Sequence, residues 1–331
     1  MDRRAFLGNF ALGILGVAGV APAQPARKVY RIGILASSAS ISEMVGPQPR
    51  NPSVAALLRG LQELGYVYGE HFVTELRSGE GKPERYPVAA AELVRLRVDV
   101  IVAAGPVLPA LKQATSTIPV IMGGAGDPVG EGFVQSLGRP GGNFTGLSLQ
   151  LSETTVKRLE LLKELVPGAA PVAVLHSDPA GFLSWQAAEA AAKERGWKVI
   201  SLVIRNAGEI EAAFKEAARA RAGGLLVLPI GLLDPHARRI AELAVKSRLP
   251  AMYGLRFYVE AGGLICYSAD NVEMWRRAAT FVDKILKGAK PADLPVEQPT
   301  KFDLVINLKA ARSIGLPIPQ PLLARANEVL Q

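Results

Sequence analysis

The sequence is poor in the residues that usually declare a chemistry. It holds a single cysteine, Cys266, in 331 residues. No internal disulfide can form, so stability must come from the core. In the apolar stretch GGLICYS that thiol reads as buried and inert rather than nucleophilic. There are three histidines, His71, His176 and His236, and none stands at metal-ligand spacing. No G-x-x-x-x-G-K-[ST] segment occurs, which removes the phosphate cradle of nucleotide-driven chemistry. GGAGDPVG follows an apolar run but spaces its glycines 124, 126 and 130 wrongly for a dinucleotide loop, and it reads as a turn. GLSLQ lacks the second glycine of a nucleophile elbow. Neither a catalytic constellation nor a cofactor is expected. After residue 26 no apolar run approaches the roughly 20 residues of a membrane span. The net charge of +8 is dispersed without a Lys/Arg block or interleaved aromatics. That excludes a nucleic-acid footprint and leaves at most a weak pull on anionic solutes or an anionic membrane surface.

What is present begins with MDRRAFLGNFALGILGVAGVAPAQPA. The apolar run Phe10 to Val20 is too short to span a bilayer. A basic start, a short apolar centre and Ala21-Pro22-Ala23 as a cleavage site predict a cleaved secretory signal over residues 1–26, a mature start near Gln24 and a periplasmic product. Arg3 and Arg4 before Ala5-Phe6-Leu7 resemble the twin-arginine export motif, with Asp2 and Gly8 departing from it. Twin-arginine or general secretion machinery is therefore an expected partner.

The remaining chain alternates apolar strands with helices. KVYRIGILAS, HFVTELRS, VDVIVAAG and IPVIMGG read as strands, separated by helices over Ser53–Leu64, Pro83–Leu96 and a short stretch to about Ala114. The alternation predicts βαβ units and a parallel sheet covered on both faces. It resumes with APVAVLHSD, the helix Phe182–Arg195, WKVISLVIR, the helix Glu209–Ala220, GGLLVLP and the helix Asp234–Ser247. Between the halves lies SLGRPGGNFTGLS, whose Gly, Pro and Asn mark loop chemistry and whose NFTGLS reads as an extended crossing segment. The helix Val272–Lys287 and GAKPADLPVEQPTKFDLVINL suggest further crossings. The expected fold class is α/β, two doubly wound Rossmann-like lobes joined by a multi-strand hinge, with a ligand cleft between them.

In open parallel sheets ligands sit outside the carboxyl ends of strands. The candidates at those ends are Ser37, Ser38, Gly105, Pro106, Asp127, His176, Asp178, Ile230 and Tyr253. Asp127 precedes Pro128 at the end of a buried strand and has two readings. It is a counter-charge for a ligand ammonium, or it caps a helix containing Val129–Leu137.

Three long blocks carry a family likeness: GKPERYPVAAAELVRLRVDVIVAAG, IPVIMGGAGDPVGEGFVQSLGRPGGNFTGLS, and YGLRFYVEAGGLICYS onward through LPVEQPTKFDLVINL to LLARANEV. They strongly resemble the ABC-transporter substrate-binding proteins with a type I periplasmic-binding fold, the family of the tryptophan/tyrosine-binding lipoproteins. The resemblance implies a monomeric two-lobed receptor, not an enzyme, that takes a small organic solute and delivers it to an ABC permease. It implies ligand contacts at Ser37, Ser38 and the Asp127-Pro128-Val129 motif. The sequence departs from the family at Pro106-Val107-Leu108, where a hydroxyl residue is common, and at His176-Ser177-Asp178-Pro179, where Asn-Pro is common. The ligand class stays open among amino acids, aromatic acids and other small organic anions. The expected organisation is residues 27–145 plus about 268–293 for one lobe, and 146–267 plus about 294–331 for the other. A sensory component, or an enzyme on the same fold, is the alternative.

Overall fold

The computed structural model describes residues 28–168, 170–177 and 181–331. The export segment with Arg3 and Arg4 lies outside them, as does Asp178. Twelve strands form two sheets. The first contains β1 (Tyr30–Ala36), β2 (Phe72–Ser78), β3 (Val100–Ala104), β4 (Val120–Ala125) and β5 (Phe144–Ser148), in the order β2-β1-β3-β4-β5 and all parallel. The second contains β6 (Val172–His176), β7 (Val199–Val203), β8 (Gly224–Val227), β9 (Ala251–Tyr253), β10 (Ile265–Ala269), β11 (Phe302–Asn307) and β12 (Glu328–Leu330), in the order β12-β11-β10-β9-β8-β6-β7. Among the described residues only the β10–β11 pairing is antiparallel. The chain therefore has a two-lobed α/β fold with a mostly parallel sheet in each lobe.

The apolar runs explain the layers. β4 and β5 are buried at every position, as a strand must be when helices cover both sheet faces. The helix Pro52–Glu63 starts with proline at its first turn and with Asn51 accepting a hydrogen bond from the Val54 N–H at 3.1 Å. Both devices satisfy or remove amide donors that a helix start otherwise leaves open. The helix Asn271–Leu286 comes late in the chain yet belongs to the first lobe. Its Ala278, Phe281 and Val282 share a core with Ile32, Leu57 and Leu61.

This return fixes three crossings between lobes. The chain leaves the first sheet at Leu149–Gln150, comes back at Asp270, and leaves again after Glu297. Gln150 takes a left-handed conformation, φ 49°, and starts the helix Leu151–Leu165. NFTGLS is more than a crossing segment, because its Phe144–Ser148 pairs with β4 as the edge strand of the first sheet. Glu297 in turn pairs with Leu147 on that edge, and Thr145 Oγ1 donates to the Leu294 carbonyl at 2.6 Å.

On the second lobe Arg158 performs a similar tie. It is 2 % exposed. Its guanidinium donates to the backbone carbonyls of Tyr267 at 2.7 Å and Gly254 at 3.3 Å. Among the described residues no carboxylate pairs with it, and burial pulls the group down to about 10.

Candidate functional site

A cleft of about 840 Å³ lies where the carboxyl ends of strands from both sheets meet. From the first lobe it is lined by Ser37 and Ser38 after β1, and by Gly105 and Pro106 after β3. β1 and β3 are neighbours at the point where the strand order reverses, the place in an open parallel sheet where helices diverge and leave a crevice. The helix Asn271–Leu286 adds Trp275, which is 6 % exposed. Its indole lies so close to β4 that a Cβ at Gly123 would stand 3.0 Å from it. Gly123 of IPVIMGG thus makes room for an aromatic wall.

The second lobe supplies different chemistry. Asp234 and Pro235 come from a short turn after β8, Arg256, Phe257 and Glu260 from the segment after β9, and Asp303 from β11. Arg256 is the only basic side chain in the lining, and it is already engaged. Its Nε donates to Glu260 at 2.8 Å and its guanidinium pairs with Glu328 at 2.7 Å. Asp270 is likewise committed, accepting from the Val272 and Glu273 N–H groups at the start of its helix. Asp234 is not. It is half-buried, and its one hydrogen bond comes from Tyr258 Oη at 3.4 Å. Burial pushes its carboxyl up to about 7, against a smaller downward pull from Tyr258. Tyr86 stands near it from the first lobe and is itself pushed up, by burial first and by the Asp234 charge second.

Ser37, Ser38, Gly105 and Pro106 are brought together as expected from strand ends. The structure does not bring Asp127, His176, Ile230 or Tyr253 to the lining. The segment after Asp127 forms turns, not the helix Val129–Leu137. Asp127 Oδ1 accepts from the Gly130 N–H at 2.9 Å, and the Asp127 N–H donates to Glu131 at 2.9 Å. That carboxylate holds a turn. His176 is 2 % exposed, shares a hydrogen bond of 2.8 Å with Ser201, and stacks on Trp185. Ile230 and Tyr253 belong to the core of the second lobe, with Tyr253 stacked on Tyr258 at 5.0 Å. Strand-end position alone places a residue near the cleft but does not say which way its side chain turns.

Sequence reasoning missed Asp234, Arg256, Phe257 and Trp275 as lining residues. Asp234-Pro235 was legible only as a helix start. Trp275 sits on a helix whose return to the first lobe is a tertiary fact. Among the described residues no group of three or more His, Cys, Asp or Glu could hold a metal ion, and no helix is long and apolar enough to cross a membrane.

Comparison with known proteins bears on this cleft. The family described as ABC transporter substrate binding protein matches residues 39–330. A tyrosine-binding protein of Clostridioides difficile strain R20291 is 25% identical over 279 residues, covering 83% of this chain and 80% of its own length. A solved structure of a conserved domain protein from Vibrio cholerae superimposes with a TM-score of 0.82 at 26% identity, covering 91% of this chain and 100% of that one. A domain from Streptococcus pneumoniae solved in complex with L-Trp gives a TM-score of 0.81 at 25% identity, covering 92% of this chain and 100% of that one.

Proposed function

We propose, from the premise that the chain belongs to the ABC transporter substrate-binding protein family, that it captures an amino acid with an aromatic side chain and presents it to an ABC permease. The observation that carries this reading is the cleft itself. It is concave, open to solutes from between two lobes, and walled by Trp275 and Phe257 beside the Ser37 and Ser38 hydroxyls. An apolar pocket with a few convergent polar groups suits a small organic molecule. The relatives that are a tyrosine-binding protein and a domain in complex with L-Trp support the choice of ligand.

The protein binds without transforming its ligand. The family's description as a substrate binding protein supports this reading. Closure of the lobes about the crossings at Leu149–Gln150, Asp270 and Glu297 seals the solute in. The protein works as a monomer in the periplasm after export through the residues 1–26, with Arg3 and Arg4 directing it to the twin-arginine route. Replacing both by lysine is expected to block export, whereas normal export of that variant leaves the general secretory route.

The test of the receptor reading is thermal stabilisation across a panel of amino acids, aromatic acids and sugars. A ligand that binds only the folded state raises apparent stability. One chemical class should stabilise the wild type, and Ser37→Trp, which fills the cleft, should abolish the shift. No stabilising solute, or equal stabilisation of Ser37→Trp, would overturn the reading.

A further inference from the structure

We propose that Asp234 selects the ligand by holding its ammonium group, so that this receptor takes amine-bearing aromatic solutes and refuses the matching arylpropionate anions. The inference rests on the receptor reading above and adds to it the residue and the charge class. Asp234 lines the cleft from the turn that follows β8. It is half-buried, and a single 3.4 Å hydrogen bond from Tyr258 is its only polar contact among the described residues. A carboxylate shielded from water is costly until a cation meets it. Among the described residues the lining supplies none, because Arg256, its one basic side chain, is held by Glu260 and Glu328. A ligand ammonium completes Asp234, while its carboxylate can turn to the Ser37 and Ser38 hydroxyls on the opposite, uncharged wall. An arylpropionate brings the same ring and carboxylate but leaves Asp234 unpaired.

The elevated carboxyl, about 7 in the empty cleft, makes capture depend on pH. The groups facing Asp234 are Tyr258 from the segment after β9 and Tyr86 from the first lobe, with His236 on its own turn and the Arg256–Glu260 pair elsewhere in the lining. An ammonium pairs with the ionised carboxylate only. The ionised fraction grows as pH rises through about 7, so affinity rises with it and a proton leaves on binding below that point.

The experiment is calorimetric titration of the purified wild type, Asp234→Asn and Asp303→Asn with L-tryptophan, L-tyrosine, tryptamine and 3-indolepropionate. The wild type should bind one of the amino acids and not 3-indolepropionate. Asp234→Asn should weaken that amino acid about thirtyfold or more, and more than Asp303→Asn, the other unassigned carboxylate in the lining. Wild-type affinity should be about tenfold higher at about pH 8 than at about pH 6, and flat in Asp234→Asn. Binding of 3-indolepropionate as tight as that of L-tryptophan would overturn the selection, as would wild-type affinity in Asp234→Asn or a loss confined to Asp303→Asn. Failure to bind any of the four would overturn it too. In each of these cases the solute panel with Ser37→Trp judges the receptor reading separately.

Discussion

The two lobes share a plan and divide the work. Each is a doubly wound sheet with strand ends at the cleft. The first lobe lines the cleft with small and neutral residues, Ser37, Ser38, Gly105, Pro106 and Gly124, backed by Trp275. The second brings Asp234, Arg256, Glu260 and Asp303. The first wall sets shape and the second sets charge. Charged residues near a crevice are expensive to bury unless paired. Arg256 and Glu260 meet that cost by pairing with each other, whereas Asp234 has no cation beside it among the described residues.

The largest effect that would break this comparison lies in the tie under the second wall. Arg158→Ala removes the donors to the Tyr267 and Gly254 carbonyls and leaves a cavity. It should cost about 3–5 kcal/mol of stability, read by denaturant unfolding. The corresponding tie in the first lobe, Thr145 to Leu294, is a single neutral hydrogen bond. Thr145→Val should cost about 1–2 kcal/mol. Equal losses at the two sites would mean that the lobes are not anchored differently.

A second break separates closure from contact with ligand. The lobes touch where Pro106 meets Gly231, and a Cβ at Gly231 would stand 2.4 Å from Pro106 Cγ. Gly231→Val should wedge the lobes apart and weaken ligand affinity about ten- to a hundredfold with the unliganded stability little changed. Pro106→Gly in the same chain should restore much of it. Failure of that rescue would place the effect in the second lobe rather than in its approach to the first.

The charge of the second wall also has a cost for the unliganded fold. Folding raises the Asp234 carboxyl from its ordinary value of 3.8 to about 7. The native state therefore binds that proton more tightly than the unfolded chain. Stability from this group is full below the unfolded value and declines as pH rises through the interval up to about 7. Asp234→Asn should accordingly be more stable than wild type by about 1–3 kcal/mol at about pH 8, with the gap closing toward about pH 4. A gap that does not change with pH would remove the strained carboxylate from the comparison.

The smallest effect is expected at Asp127. Its carboxylate accepts from the Gly130 N–H at the turn, a bond that asparagine can also make. Asp127→Asn should change stability by under about 0.5 kcal/mol and leave ligand affinity within about twofold. A large loss of affinity would return Asp127 to the cleft.

The local pattern carried most of the architecture. Continuous apolar runs such as VDVIVAAG and IPVIMGG, short, rich in β-branched residues and bounded by Gly or Pro, read as strands buried on both faces, and their alternation with helices leads to parallel sheets. The same logic found the first wall, because Ser37, Ser38, Gly105 and Pro106 follow directly from where β1 and β3 end. The second wall was not legible in that way. His176 and Tyr253 end strands and Ile230 follows one, yet His176 turns to Ser201 and Trp185, and the other two turn into the core. Strand ends are marked locally, where an apolar run stops at small or polar residues. The direction of a side chain is set by neighbours distant in sequence. So the sequence by itself determined two α/β lobes, a cleft between them and its neutral side. Only the tertiary structure decided that the helix Asn271–Leu286 returns to put Trp275 in that cleft, and that Asp234 rather than Asp127 stands there without a partner cation. Both are outcomes of long-range packing, which no local spacing encodes.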